Sequence, residues 1–144
     1  MILSTQSWLI WALLSALFAA LTAIFAKIGV QDVHPDFAMF LRTILIAGTL
    51  GMLLLATGKF EAIAHYAPRT WLFLALSAFV TGASWLCYFR ALQAGDAARV
   101  APIDKLSVVI VAVLAVGFLG ERLSSLGWAG IVLMTAGAIC VALG

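Results

Sequence analysis

Trp8-Leu9-Ile10-Trp11-Ala12-Leu13-Leu14-Ser15-Ala16-Leu17-Phe18-Ala19-Ala20-Leu21-Thr22-Ala23-Ile24-Phe25-Ala26 runs for nineteen positions without a charged side chain. As a helix rising about 1.5 Å per residue it covers roughly 28 Å, close to the ~30 Å hydrocarbon core of a bilayer. Lipid offers no water to backbone N–H and C=O groups, so a spanning segment is either a helix or part of a closed barrel. Barrel strands alternate apolar and polar residues, and this run does not. It predicts a spanning helix over about residues 8–28, with Lys27 near its end. Met1–Gln6 contains no Lys or Arg, whereas a removable leader opens with positive charge, so the run is expected to be a permanent helix.

The pattern repeats along the chain. Further apolar runs predict helices over about residues 37–57, 71–93, 100–119 and 123–143, making an all-α integral membrane bundle of about five transmembrane helices. Between the first two lies Gln31-Asp32-Val33-His34-Pro35-Asp36, with Pro35 marking the restart. Gly58–Thr70 is the longest polar connection and holds Lys59, Glu61, His65, Pro68 and Arg69. Gly95-Asp96 and Gly120-Glu121-Arg122 are the remaining turns. Pro102 is expected in the first turn of helix four, where a missing N–H costs nothing. Short connections make consecutive helices antiparallel neighbours, and one domain accounts for residues 1–144.

The composition agrees. Hydrophobic residues make up 65% of the 144-residue chain and charged residues 10%, against about 25% charged in ordinary soluble domains. A globule this small has too little interior to hide that apolar surface. A net charge of +2 is too mild for a nucleic-acid partner, and no basic stripe forms. Cys87 and Cys140 sit in apolar runs and read as buried hydrophobes, not as a disulfide. His34 and His65 have no Cys or His neighbour at ligand spacing, so no metal or cofactor is expected. An enzyme is a poor fit, because no pair of acids or Ser-His arrangement sits at membrane depth.

Five crossings place the chain's two ends on opposite sides of the membrane. Lys59, Arg69 and Arg122 fall on the N-terminal side, face A, and Lys27, Arg90 and Arg99 on the edge of face B. Orientation follows the difference in Lys and Arg between sides. Here the edge tally is three against three, so neither orientation is preferred.

Several side chains stand where lipid alone cannot satisfy them. Arg42, five residues into the expected second helix, lies about 7.5 Å inside face B. Ionisable groups at such depth face a cavity or a partner. Arg42 thus predicts a site for an anionic or carbonyl-bearing group, or an ion pair with Asp104 at similar depth. Asp104 and Lys105 are candidate pathway residues on helix four. As neighbours they point about 100° apart, so both cannot squarely face one surface. Asp104 alternatively complements the dipole as a first-turn acid. Ser77, Thr81, Ser84 and Tyr88, spaced 4, 3 and 4, form one stripe of helix three, with Trp85 beside it to stack on a planar solute. Such a stripe lines water or bonds across a helix contact. Lys27, Arg42, Arg90 and Lys105 lean toward an acidic cargo, an inclination largely offset by Asp32, Asp36, Asp96 and Asp104. Gly127, Gly130, Gly137 and Gly144 follow one side of helix five and predict an assembly face, while Trp8, Trp11, Trp71 and Trp128 suit the interfacial belt.

From the third helix onward the residues form a family pattern. Trp85-Leu86-Cys87-Tyr88-Phe89-Arg90-Ala91-Leu92, Val100-Ala101-Pro102-Ile103-Asp104-Lys105-Leu106-Ser107 and Leu119-Gly120-Glu121-Arg122-Leu123-Ser124 resemble the EamA domain of the drug/metabolite transporter superfamily. Arg42 and the glycine-bearing last helix fit the same pattern. One departure is Val108, where many members carry a proline. Typical members hold two EamA domains and ten helices; this chain resembles a single one, similar to the five-helix bacterial and archaeal branch. The resemblance implies a small-molecule solute and a bacterial cytoplasmic (inner) membrane. Together these readings predict a secondary transporter half that works by alternating access as a homodimer, with the two copies antiparallel. A parallel dimer or a heterodimer with a related chain is the rival assembly, and a non-transporting accessory subunit of a larger membrane complex is the alternative function.

Overall fold

The computed structural model describes residues 7–61 and 66–144; Met1–Gln6 and His65, read above, lie outside them. The described residues form six helices and no strand: α1 (Ser7–Gly29), α2 (Pro35–Thr57), α3 (Pro68–Ala94), α4 (Ala97–Asp104), α5 (Ser107–Phe118) and α6 (Ser125–Leu143). They supply five segments long and apolar enough to span a bilayer, α4 and α5 together making the fourth. The protein is therefore an all-helical integral membrane protein.

Local chemistry sets the helix ends. α2 and α3 start at Pro35 and Pro68, two and three residues before the apolar runs. Proline's fixed φ suits the first helical position, and its missing N–H is one the helix cannot use there. α6 starts at Ser125, not Leu123, because Ser124 caps it: its Oγ accepts a hydrogen bond from the Gly127 amide at 3.1 Å. α2 ends in a left-handed glycine cap. Gly58 has φ 63°, its amide donates to the Leu55 carbonyl and the Lys59 amide to that of Leu54. Beyond it, the Tyr66 hydroxyl donates to the Glu61 carboxylate, and this hydrogen bond, which only the protonated phenol can donate, pushes its pKa up.

The expected fourth helix is broken. Its first element begins at Ala97, so Pro102 is inside α4 and not in its first turn, where it leaves the Ala98 carbonyl without its N–H. Asp104 accordingly ends α4 and is not a first-turn acid. The ladder then tightens: Leu106 donates to Ile103, Val108 to Lys105 and Val109 to Leu106, each reaching back three residues in the 3₁₀ manner. The break occurs although position 108 is Val. Because the helix ends there, neighbouring side chains can meet, and Lys105 Nζ lies 3.1 Å from the Asp104 carboxylate.

The chain divides into two compact units, one comprising the chain up to Phe25 with Ala94–Gly144, the other Ala26–Gln93. In the first, α6 packs along α4 and α5. Ile131, Met134, Thr135 and Ala138, at helical spacing, meet Lys105, Leu106, Val108 and Val109 around a cavity of about 20 Å³. A Cβ at Gly130 or Gly137 would meet no atom within 4 Å, so close packing inside the chain does not require those glycines. In the second unit, Ala26, Val30, Phe89 and Leu92 are buried where the end of α1 and the start of α2 meet the end of α3. Nearly all other large apolar side chains are exposed, as suits helices whose solvent is lipid. Cys87 and Cys140 share that exposure and are free thiols; the expectation that they are buried is corrected, because their apolar runs face outward.

Candidate functional site

The second unit holds a groove between α2 and α3. Met39, Arg42, Thr43 and Ile46 line it from α2, and Leu74, Ser77, Ala78, Thr81, Gly82 and Trp85 from α3, around about 440 Å³ of open space. That volume lies within the ~300–1,000 Å³ range of small-molecule sites. The helices run antiparallel, so Arg42 and Trp85 share one end of the groove while Ile46 and Leu74 extend away from them.

Arg42 occupies the eighth position of α2, whose start at Pro35 sets it about 10 Å inside the helix. Its Cζ sits 3.8 Å from the centre of the Trp85 ring and 5.7 Å from that of Phe89. Trp85 is braced by Tyr88 and Phe89, edge-on at 5.7 and 6.1 Å between centroids. A guanidinium over an indole face is a cation–π contact, strengthened where water is scarce. It satisfies the charge in part, and no carboxylate among the described residues receives the guanidinium's N–H donors. The Thr43 hydroxyl donates to the Met39 carbonyl at 2.9 Å, so its hydrogen is committed to its own helix. Thr49 and Thr57 do the same along α2. Ser77 and Thr81 are the groove's other hydroxyls.

Side chains cross-link the face B end of this unit. Arg90 Nε and Nη2 donate to the Asp36 carboxylate at 2.9 and 2.7 Å. Lys27 Nζ donates to the Leu92 carbonyl at 2.7 Å, a cation on an orphan C=O in the last turn of α3. The Gln93 amide donates to the Val30 and Val33 carbonyls, both at 3.3 Å.

The structure thus brings four of the sequence-derived candidates, Arg42, Ser77, Thr81 and Trp85, into one groove. Tyr88 touches the groove's Trp85, and Ser84, on the stripe with them, is exposed and outside the lining. Asp104 and Lys105 pair with each other in the first unit. Of the four cations read as one basic cluster, Arg90 is held by Asp36, Lys105 by Asp104 and Lys27 by a carbonyl. Sequence reading missed the Asp36–Arg90 clamp. The signal was present: opposite charges at the start of one helix and the end of its antiparallel successor fall on the same face.

The described residues thus form a helical membrane protein with an open groove that carries Arg42. Residues 6–143 match the EamA-like transporter family, and the chain belongs to that family. It is 55% identical over 138 residues to a Sinorhizobium sp. protein described as an uncharacterized transporter in the cobO 3′ region, covering 96% of this chain and 98% of that protein. No solved structure matches significantly. The protein is a membrane transporter.

Proposed function

We propose that this chain is one half of a secondary transporter, and that two antiparallel copies in the cytoplasmic membrane of a bacterium move a small metabolite or drug-like solute by alternating access. The observation that carries the reading is the groove with Arg42 seated over Trp85. A cation at this depth with no carboxylate partner among the described residues is costly unless it serves a cavity or a ligand. Ser77 and Thr81 give the same groove hydroxyls that a polar solute can use.

Pairing supports the alternating part. Five spans leave most apolar side chains uncovered by their own chain, and two copies bring ten helices around a central space. An odd number of crossings inverts a second EamA domain fused to the first, so separate copies reproduce that arrangement when inserted oppositely. The even edge charges permit both insertions. Inverted repeats are the common architecture of secondary carriers. The open Gly130 and Gly137 positions of α6 provide a surface on which helix backbones can approach closely.

Flux in proteoliposomes tests the reading, with candidate solutes first selected by thermal stabilisation of the purified protein, since a bound ligand raises apparent stability. Saturable flux that is lost when Thr81 is replaced by Trp supports it. A protein that moves no stabilising solute yet copurifies with one stable partner is an accessory subunit instead.

A further inference from the structure

Arg42 differs from its basic neighbours in what it lacks. Within the second unit Asp36 is held by Arg90 and Glu61 by Tyr66, and no carboxylate pairs with Arg42 among the described residues. Its guanidinium lies over the faces of Trp85 and Phe89, which engage charge but accept no N–H fork, and Tyr88 beside Trp85 adds a phenol and no carboxylate. Guanidinium offers five donors in one plane, matched in shape to a carboxylate or a phosphate-type oxyanion. The groove lining contains no Asp or Glu, so an ammonium group has nothing there to pair with. Beyond Arg42 the walls are Ile46, Leu74 and Ala78, relieved by Ser77 and Thr81. Along α3 the lining extends eleven residues from Leu74 to Trp85, or about 16 Å.

We propose that this groove selects a small organic anion, its carboxylate or phosphate-type head on Arg42 and its apolar body laid toward Ile46 and Leu74, and that it rejects cations and zwitterions. The assignment rests on the groove being the solute route. Trp85 holds the guanidinium as a stacked platform, so the donor fork is oriented before the ligand arrives and less side-chain freedom is lost on binding. Thr81 lies four residues from Trp85 on the same face, about 6 Å along the helix. A hydroxyl or carbonyl at that distance from the anionic head finds a partner there. Cargo class therefore follows from a cation that has no carboxylate partner among the described residues, in an acid-free groove. The alternative source of an oxyanion at this depth is a lipid headgroup.

The test uses a Thr81→Cys protein lacking Cys87 and Cys140 (both changed to Ala), in phosphatidylcholine nanodiscs. Labelling of the new thiol by a water-soluble maleimide is followed with 3-phenylpropionate, 3-phenylpropylammonium or 3-phenylpropanol present. Hydrogen bonds to charged groups contribute about 1.5–3 kcal/mol, so the anion is expected to protect at a concentration at least about tenfold below the other two. Arg42→Gln is expected to erase that difference while the thiol still labels, and Arg42→Lys to keep part of it. Equal protection by all three compounds, or selectivity that survives Arg42→Gln, overturns the anion assignment and leaves the groove as the route. A thiol that never labels overturns both. If phosphatidylglycerol alone gives Arg42-dependent protection that phenylpropionate does not match, the oxyanion is a headgroup and the solute proposal falls.

Discussion

Arg90 grips both oxygens of Asp36, Nε at 2.9 Å and Nη2 at 2.7 Å, and so ties the last turns of α3 to the first turn of α2. Fork-on-fork pairs of this kind fix orientation as well as distance. Arg42 lies six residues beyond Asp36, about 9 Å deeper along α2. The clamp, with Lys27 on Leu92 and Gln93 on Val30 and Val33, therefore cross-links the face B end of the unit that holds the groove.

Neutralising either partner is expected to loosen this end. Asp36→Asn or Arg90→Gln should speed maleimide labelling of a cysteine placed at Met39, in a background without native cysteines, by several-fold. The exchanged pair, Asp36→Arg with Arg90→Asp, should restore slow labelling only in part. It rebuilds the ion pair but sets Arg at a helix start and Asp at a helix end, against both dipoles. Unchanged labelling in the single variants removes the clamp from the access route.

Arg42→Ala is expected to insert at normal levels and to transport only weakly at low solute concentration. With about 1.5–3 kcal/mol at stake in a charged hydrogen bond, the apparent KM should rise by about tenfold to a hundredfold. Asp104→Asn should not rescue it, because the Asp104 carboxylate is committed to Lys105. Rescue by that change establishes a structural Arg42–Asp104 pair in place of a ligand site.

Position on the α3 stripe separates Thr81 from Ser84. Thr81→Trp fills the groove and is expected to abolish flux, whereas Ser84→Phe, outside the lining, should leave flux within about twofold, as surface substitutions away from such features usually do. A block at Ser84 with free flux at Thr81 places the route on the other side of the stripe.

Gly58 carries a stability prediction independent of transport. Its φ of 63° is a left-handed backbone that costs other residues about 1–2 kcal/mol. Gly58→Ala should lower thermal stability in detergent by that order, and Gly58→Asn by less. Equal stability of the alanine variant shows that the α2 cap relaxes without cost.

Dual insertion is tested with a reporter fused after Gly144 and read on both sides of the membrane. Near-equal signal is expected, and a strong bias to one side excludes the antiparallel homodimer. Two lysines added beside Lys59 should fix one orientation and abolish flux, and coexpression with an oppositely biased copy should restore it.

The number of spans, membrane class and family pattern were legible in the chain as written, because runs such as 8–26 admit only one backbone solution in lipid. Arg42 was legible for the same reason: charge at depth is costly whatever surrounds it. Two prolines and a serine shifted the ends of α2, α3 and α6 by a few residues, since capping is decided by one hydrogen bond or one missing N–H. The fourth crossing was misread as continuous. Its interruption after Pro102 is a matter of which carbonyl each amide reaches, and hydropathy does not record that. Partner choice belonged to the tertiary structure alone. Asp36 found Arg90, Lys105 found Asp104, and Arg42 was left over Trp85, because the distance between side chains on different helices depends on crossing and rotation, about which an almost uniformly apolar sequence is silent.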